Sequence, residues 1–362
     1  MSGAFHEPDT SSALGSYLKV WLGYSLDEEI RKEAASGGIV SATLIHLLET
    51  GQVQGALVCH SAMDGGQLGY RIFIAKSREE ILSAQTSKYY DIPLIQGLKL
   101  IEEFPGKVAI VGLPSQINSI SRRMAHNPVL AEKIFFRIAI FCGHNSKEEL
   151  LKAVWKKKGI EESQVAQFFF RKGLWRGKMQ VEMKDGTVHR FPFQDFSHYQ
   201  NLHILSLDRC LNCFDHMGYY ADFSTGDVWM QKVKSWGVKP SIFLARNERA
   251  LKVVEEMAAA GKLKADETDR ETLYRSQMRS INYHYQLSAR AKLAPLFGLN
   301  VRDRINIPVK LRDLGAAFIV LLNHKISRTP WALRLFLKMP KPFLIVYVYL
   351  FKGLTHYKRS TY

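Results

Sequence analysis

The sequence predicts an α/β protein: a mostly parallel sheet flanked by helices, with an antiparallel strand-rich insertion and a helical, basic C-terminal tail. Three observations predict it. From Leu18 to about residue 162, short apolar runs alternate with segments whose apolar residues recur at helical spacing. After about residue 163 the texture changes to runs that suit antiparallel strands, one pair joined by the turn Lys184-Asp-Gly-Thr187. Beyond Ile307 strongly apolar stretches alternate with Lys and Arg.

The elements follow in order. Residues 1–16 are rich in Ser, Gly, Asp and Pro and read as a flexible tail. Ser36-Gly-Gly38 opens a helix whose stripe is Ile39, Val40, Leu44, Ile45, Leu47 and Leu48, closed by Gly51. Gly55–Cys59 and Arg71–Ala75 read as strands, with a short helix over Ser77–Ala84. Lys107–Gly112 is a strand that ends in a Gly-Leu-Pro loop, and a helix over Gln116–Ala125 follows. Ile134–Phe141 is the next strand. Ser146–Lys158 is the next helix, N-capped by Ser146 with Glu149 three residues on. Gln167–Arg171, Lys178–Lys184 and Thr187–Phe193 are the antiparallel strands. Asp222 and Asp227 bracket a Gly-containing segment and read as turn-formers. Trp229 reads as core. Ser241–Arg246 is a further strand and Glu248–Ala260 a helix. The division into parts is 17–162, 163–272, a polar helical connector over 273–306, and the tail 307–362.

The chain of 362 residues can bury a substantial core, and its apolar fraction of 46% is ordinary for a globular protein, so disorder is not the default reading. Met1–Asp9 lacks the basic end and apolar stretch of a secretory signal, so a reducing cytoplasm is the expected compartment. From Val301 onward twelve basic residues face two acids, so +10 of the net charge of +16 lies in the last sixth of the chain. The apolar runs Gly315–Leu322 and Phe343–Phe351 are too short to span a bilayer, and Pro330, Pro340 and Pro342 interrupt longer helices. Trp331, Tyr347 and Tyr349 suit a membrane–water boundary. The tail therefore reads as a segment on an anionic membrane surface, on the inner face of the membrane, or as helices packed on the domain or a partner subunit. Nucleic acid is not the expected partner, because base readout needs no long aliphatic runs.

Four cysteines in a chain this long do not make a disulfide scaffold. Cys210 and Cys213 form a C-x-x-C, which supplies two soft ligands from one turn of backbone. Cys142 follows a predicted strand, where open α/β sheets build their sites. Ser115 stands at the matching place after the strand ending at Gly112, a hard ligand where a thiolate would be soft. Cys59 also ends a predicted strand, as a donor or a small buried residue. No second C-x-x-C or His pair completes a zinc finger. Asp215 and His144 stand close by in sequence as alternative ligands, and no acid–base residue is assigned. Three segments suit phosphates or a dinucleotide: Ser36, Gly37 and Gly38 at a helix start; Ser87, Lys88 and Tyr89, offering a hydroxyl, a cation and a ring; and Gly112, Pro114 and Gln116 at a strand end.

Ala35-Ser-Gly-Gly-Ile-Val40, Leu48-Glu-Thr-Gly51, Ser87-Lys-Tyr89, Val111-Gly-Leu-Pro-Ser-Gln116, Phe141-Cys-Gly-His144, Cys210-Leu-Asn-Cys213-Phe-Asp215 and Ala221–Asp227 occur in this order. Over about residues 33–262 the sequence resembles the beta-subunit family of coenzyme F-420 hydrogenases and dehydrogenases, whose relatives include 7-hydroxymethyl chlorophyll a reductases. The resemblance implies FAD beside a [4Fe–4S] cluster, passing electrons between an iron–sulfur donor and a deazaflavin or another hydride acceptor. Three cluster ligands match, Cys142, Cys210 and Cys213. Ser115 replaces the fourth. The ferredoxin-like segment of many relatives has no counterpart in this sequence, so a separate ferredoxin-like electron-donor protein is the expected partner. The alternative is a degenerate, non-redox member that serves as a membrane-associated scaffold or accessory protein in polysaccharide biosynthesis.

Overall fold

The computed structural model describes residues 12–173, 177–230 and 236–359. The chain opens with β1 (Lys19–Ser25) and α1 (Glu28–Glu33), which Asp27 caps by accepting from the backbone of Glu29 and Ile30. After α2 (Ile39–Glu49) come β2 (Gly55–Asp64) and β3 (Gln67–Ala75), a hairpin turning at Gly65 and Gly66, both with positive φ. Then follow α3 (Arg78–Ser83), α4 (Leu98–Glu103), β4 (Val108–Gly112), α5 (Pro114–Met124), α6 (Pro128–Lys133), β5 (Ile134–Ile140) and α7 (Glu148–Lys157). Strands β6 (Val165–Lys172), β7 (Lys178–Met183) and β8 (Val188–Pro192) form the antiparallel insertion, followed by α8 (Gln194–Asn201) and α9 (Asp208–Leu211). The chain returns through β9 (Phe223–Asp227), β10 (Ser241–Ala245), α10 (Glu248–Ala259) and β11 (Leu263–Glu267). It closes with α11 (Arg270–Tyr285), α12 (Leu287–Leu293), α13 (Leu311–Ile326), α14 (Pro330–Lys338) and α15 (Lys341–Thr355).

The large sheet has the order β11-β1-β10-β9-β5-β4-β2-β3, and β6-β7-β8 form a second sheet. Its centre, β2, β4, β5 and β9, is parallel, while β10, β1, β11 and β3 add antiparallel flanks. The alternation of strand side chains fills both faces. Val108 and Ile110 join the cluster under α4–α6 and α11, while Ala109 joins the one under α2 and α10. Gly23 and Asp227 both pair with Ser241, so β1 ends and β10 begins at the edge where β9 ends. The carboxyl ends of β4, β5 and β9 thus face one region, which is where open α/β sheets place their sites.

Several expectations change. Ser146 does not cap α7. Its backbone bridges to Tyr90 and Ser206, and Lys147 precedes the helix. Asp222 and Asp227 do not bracket a turn, since Phe223–Asp227 is β9. A side chain at Gly226 would come within 2.5 Å of the Phe141 ring, so that glycine serves close packing. Trp229 is exposed and stacks on Arg171. The polar connector contains α11, which is largely buried, including Asn282, Tyr283 and His284. Of the expected N-terminal tail, residues 1–11 lie outside the described residues, while Ala13 and Leu14 are buried. The C-terminal tail is folded onto the domain, with Phe336, Leu344, Val348 and Phe351 in a core shared with β6–β8 and α7.

Candidate functional site

Three segments at strand ends or in loops build a cavity, with His284 of α11 as a further lining residue. β5 hands over to Phe141 and Cys142, whose N–H groups donate to Thr225 O at 2.8 Å and His216 O at 3.2 Å. Next to it α5 starts at Pro114, with a fixed φ suited to a first helical turn. Gln116 locks this turn: its Oε1 accepts from Leu113 N at 2.9 Å and its Nε2 donates to Ile92 O at 2.6 Å. Cys210 lies in the single turn of α9, and Cys213 N donates back to Cys210 O at 3.3 Å. Ser115, Cys142, Cys210 and Cys213 line this one cavity, together with His144 and Asp215. Cys59 does not: it sits within β2 opposite Ile72 and packs against the core.

The cavity's electrostatics oppose free thiolates. Burial pushes the thiols of Cys142, Cys210 and Cys213 up, Cys213 to about 12, and the neighbouring sulfurs add to the rise at Cys142 and Cys213. A cationic core bound to all three would supply the opposing charge. The Asn145 N–H already points at Cys210 Sγ, 3.4 Å away. Among the described residues no three Cys, His, Asp or Glu groups converge tightly enough for a single metal ion. By donor chemistry, three thiols with one hydroxyl suit an iron–sulfur cluster that has one hard ligand.

The alternative ligands are engaged. Asp215 accepts from Gly218 N at 2.7 Å and Tyr219 N at 3.1 Å, and burial raises its carboxyl. His144 Nε2 lies 2.8 Å from Gln200 O, and burial lowers the ring to about 4. Its ring stacks on His203, which stacks in turn on Tyr283.

Sequence reasoning missed the supports behind the cysteines. His284 on α11 places Nε2 2.8 Å from Cys142 O and Nδ1 3.1 Å from Cys213 O. His216 Nδ1 lies 3.0 Å from the same Cys142 carbonyl. The Arg290 guanidinium, fully buried, donates to Leu211 O at 3.0 Å and Cys213 O at 3.3 Å. Arg209 is held in a bidentate pair with Asp91. His284 and Arg290 lie outside the motif-bearing segments, and no local pattern marks them.

The expected flavin contacts fall at the same end of the sheet but in separate places. Ser36 Oγ donates to Pro240 O at 3.0 Å, and Gly37 N donates to Ser241 Oγ at 3.0 Å. A side chain on Gly37 would meet Gly23 O at 2.8 Å, and Gly38 has φ +78 before α2. Lys88 caps the carboxyl end of α3, donating to Ala84 O, Gln85 O and Thr86 O at 2.7, 3.2 and 3.0 Å, and burial lowers its pKa. Tyr89 packs among Phe170, Phe193 and Phe196. Gly112 packs against Leu94, and Pro114 lines the cysteine cavity. The side chains of Ser36, Lys88 and Gln116 are thus hydrogen-bonded within the protein. Ser87 and Tyr89 flank the buried Lys88 in the same loop.

The fold and cavity define an α/β protein with a cysteine-lined site at the carboxyl ends of its parallel strands. Residues 20–99 match the model of the coenzyme F420 hydrogenase/dehydrogenase beta subunit N-term, and residues 106–271 that of its C terminus. The coenzyme F420 hydrogenase subunit beta of Methanococcus voltae is 30% identical over 260 residues, covering 70% of this chain and 86% of that protein. That of Methanosarcina barkeri is 27% identical, covering 59% and 72%. A coenzyme F420-dependent sulfite reductase of Methanocaldococcus jannaschii is 29% identical, covering 54% of this chain and 31% of that protein. A chain of the F420-reducing [NiFe] hydrogenase complex from Methanosarcina barkeri shares the fold, with a TM-score of 0.62 at 21% identity, covering 83% of this chain and 99% of that one. The chain belongs to the coenzyme F420 hydrogenase/dehydrogenase beta-subunit family, a family of oxidoreductases.

Proposed function

We propose that this chain is a flavin- and iron–sulfur-dependent oxidoreductase that passes electrons between an iron–sulfur donor protein and a deazaflavin or another hydride acceptor. One observation carries the reading: Cys142, Cys210 and Cys213 share a cavity with Ser115 at the strand ends. In this reading the three thiolates and the Ser115 oxygen hold a [4Fe–4S] cluster. The Asn145 N–H offsets charge on Cys210 sulfur, and His284 and His216 fix the backbone that carries Cys142. FAD is the second group, lying beside Gly37–Gly38, Ser87–Tyr89 and Gly112–Pro114, with its polar contacts drawn from the backbone. Bound, the two groups supply single-electron storage and exchange with hydride chemistry. The protein's part is to space the cluster ligands and keep water from them.

The F420 named in the relatives supports a deazaflavin as acceptor, and their being hydrogenase subunits supports a separate partner protein, which this reading makes a ferredoxin-like donor. An anionic membrane surface, met on its inner face through residues 307–362, is the second partner of this reading.

Anaerobic reconstitution with iron, sulfide and FAD tests it. The expected result is a brown protein with flavin absorbance that reduces F420 when reduced ferredoxin supplies the electrons. Ser115 favours the second reading, a non-redox accessory protein. It predicts a colourless chain whose melting is unchanged by Cys210→Ala with Cys213→Ala.

A further inference from the structure

The membrane reading leaves open which surface makes the contact, and α13–α15 narrow it. Among the described residues no helix is long and apolar enough to cross a membrane. The 15 residues of α15 extend only about 22 Å, short of the ~30 Å hydrocarbon core. Any contact is therefore made along a helix face.

Both terminal helices have two apolar faces. In α14, Ala332 and Phe336 are buried inward; in α15, Leu344, Val348 and Phe351 are. That packing already satisfies the fold. Yet the outward stripes are apolar too. Trp331 and Leu335 on α14, and Phe343, Val346, Tyr349 and Leu350 on α15, are between 58% and 69% exposed. Their spacings, four residues on α14 and three or seven on α15, put each set on one side of its helix. A soluble domain rarely leaves large aromatic and aliphatic groups so grouped, and such patches mark interaction surfaces.

Charge selects the occupant. From Leu314 to Tyr362 the sequence holds no Asp or Glu and eight Lys or Arg. Arg328, Lys341, Lys358 and Arg359 reach acids elsewhere in the chain. Arg334 and Lys338 are exposed, share the α14 face with Trp331 and Leu335, and have no acidic partner among the described residues. Apolar side chains interleaved with cations, with aromatic rings among them, match an anionic leaflet: acyl chains for the stripe, lipid phosphates for the cations, and the boundary for the indole and phenol. The family models end at residue 271, so this surface lies outside the residues they match.

We propose that the outward faces of α14 and α15 dock this enzyme flat on an anionic bilayer, with Trp331, Leu335, Phe343, Val346 and Leu350 entering the acyl boundary and Arg334 and Lys338 meeting the headgroups. The inference rests on the membrane-partner reading above and assigns it a face. The docking is rigid, because Asn282 Nδ2 donates to Thr355 O at 2.7 Å and Tyr357 O at 2.6 Å, and Arg359 pairs with buried Asp313 at 2.6 Å.

Flotation of the full chain with vesicles tests it, using pure phosphatidylcholine and phosphatidylcholine with phosphatidylglycerol at about 0.1 M salt. The wild type is expected to float with the anionic vesicles and to stay behind with the neutral ones. Trp331→Ser with Phe343→Ser is expected to weaken partitioning at least tenfold. Arg334→Gln with Lys338→Gln is expected to weaken it about 25-fold, at about fivefold per cation. All four positions are solvent-exposed, so both variants should melt with the wild type, and circular dichroism checks this. A wild type that ignores anionic vesicles overturns the membrane reading itself. Vesicle binding unchanged in both variants overturns only this face. Loss of self-association on a sizing column in Trp331→Ser with Phe343→Ser, without vesicle binding by the wild type, makes the face a protein interface and overturns the proposal.

Discussion

Replacing Asp222 by Ala tests how the sheet positions Cys142. Asp222 precedes β9, which pairs with β5 through Ile138–Phe223, Ala139–Ser224 and Ile140–Thr225, two residues short of Cys142. Its Oδ2 accepts from Arg137 N at 2.8 Å and Arg137 Nε at 3.1 Å, and its Oδ1 from Arg137 Nη2 at 2.9 Å and Asn247 Nδ2 at 2.6 Å. The carboxylate is 2% exposed and the arginine 25%. Breaking a buried ion pair by removing one partner costs about 3–5 kcal/mol. Water reaches the freed Arg137 in part, which brings the expected loss to about 2–4 kcal/mol. Burial raises the Asp222 carboxyl, but the Arg137 charge and the N–H bonds outweigh it and hold it below its ordinary value. A folded-state value below the unfolded one contributes fully above pH ~4 and is lost as pH falls through the folded value. Urea unfolding of Asp222→Ala and wild type at pH 7 and near pH 3 measures both effects. The gap between them should be about 2–4 kcal/mol at pH 7 and should narrow in acid. A gap under about 1 kcal/mol at pH 7, or one that widens in acid, refutes the reasoning.

Three further outcomes are expected. Ser115→Cys adds a fourth thiol to the cavity, and the reconstituted variant should release iron to a chelator about tenfold more slowly than the wild type. Gly37→Ala should cost about 1–3 kcal/mol in thermal or urea unfolding, since its added carbon would lie 2.8 Å from Gly23 O and 2.9 Å from Ser241 N. Asp313→Ala strands buried Arg359 and removes acceptors for Lys310 N and Gln286 Nε2. It should cost about 3 kcal/mol and make limited proteolysis release a C-terminal piece that the wild type retains.

Much of the fold was legible because it is local. The strand β4 with a helix after its Gly-Leu-Pro segment, the Lys184–Thr187 turn, and the apolar stripe of α2 each rest on spacing within a dozen residues. The antiparallel flanks were not, because β1, β10 and β11 find partners across more than 200 residues, and no short pattern states that pairing. Asp222–Asp227 looked like a turn because Gly226 sits between two aspartates. Its glycine answers to Phe141 and its aspartates to Arg137 and Arg171, all distant in sequence. The cysteine site was approached through strand ends and a C-x-x-C, and the structure gathers those residues with Ser115. Its second layer was hidden, since His284 and Arg290 act on cysteine carbonyls some 70 or more residues away. Lys88 was read as a cation beside a ring, and its local partners were not legible: three carbonyls accept hydrogen bonds from its ammonium.

Iron and acid-labile sulfide counted on anaerobically reconstituted wild type and on the single variants Cys142→Ala, Cys210→Ala and Cys213→Ala test the central claim most directly. The account predicts close to four of each per wild-type chain, and a large loss in every one of the three variants, because the sulfurs serve one core. Wild-type protein that takes up no iron, or a variant that keeps the full complement, contradicts it.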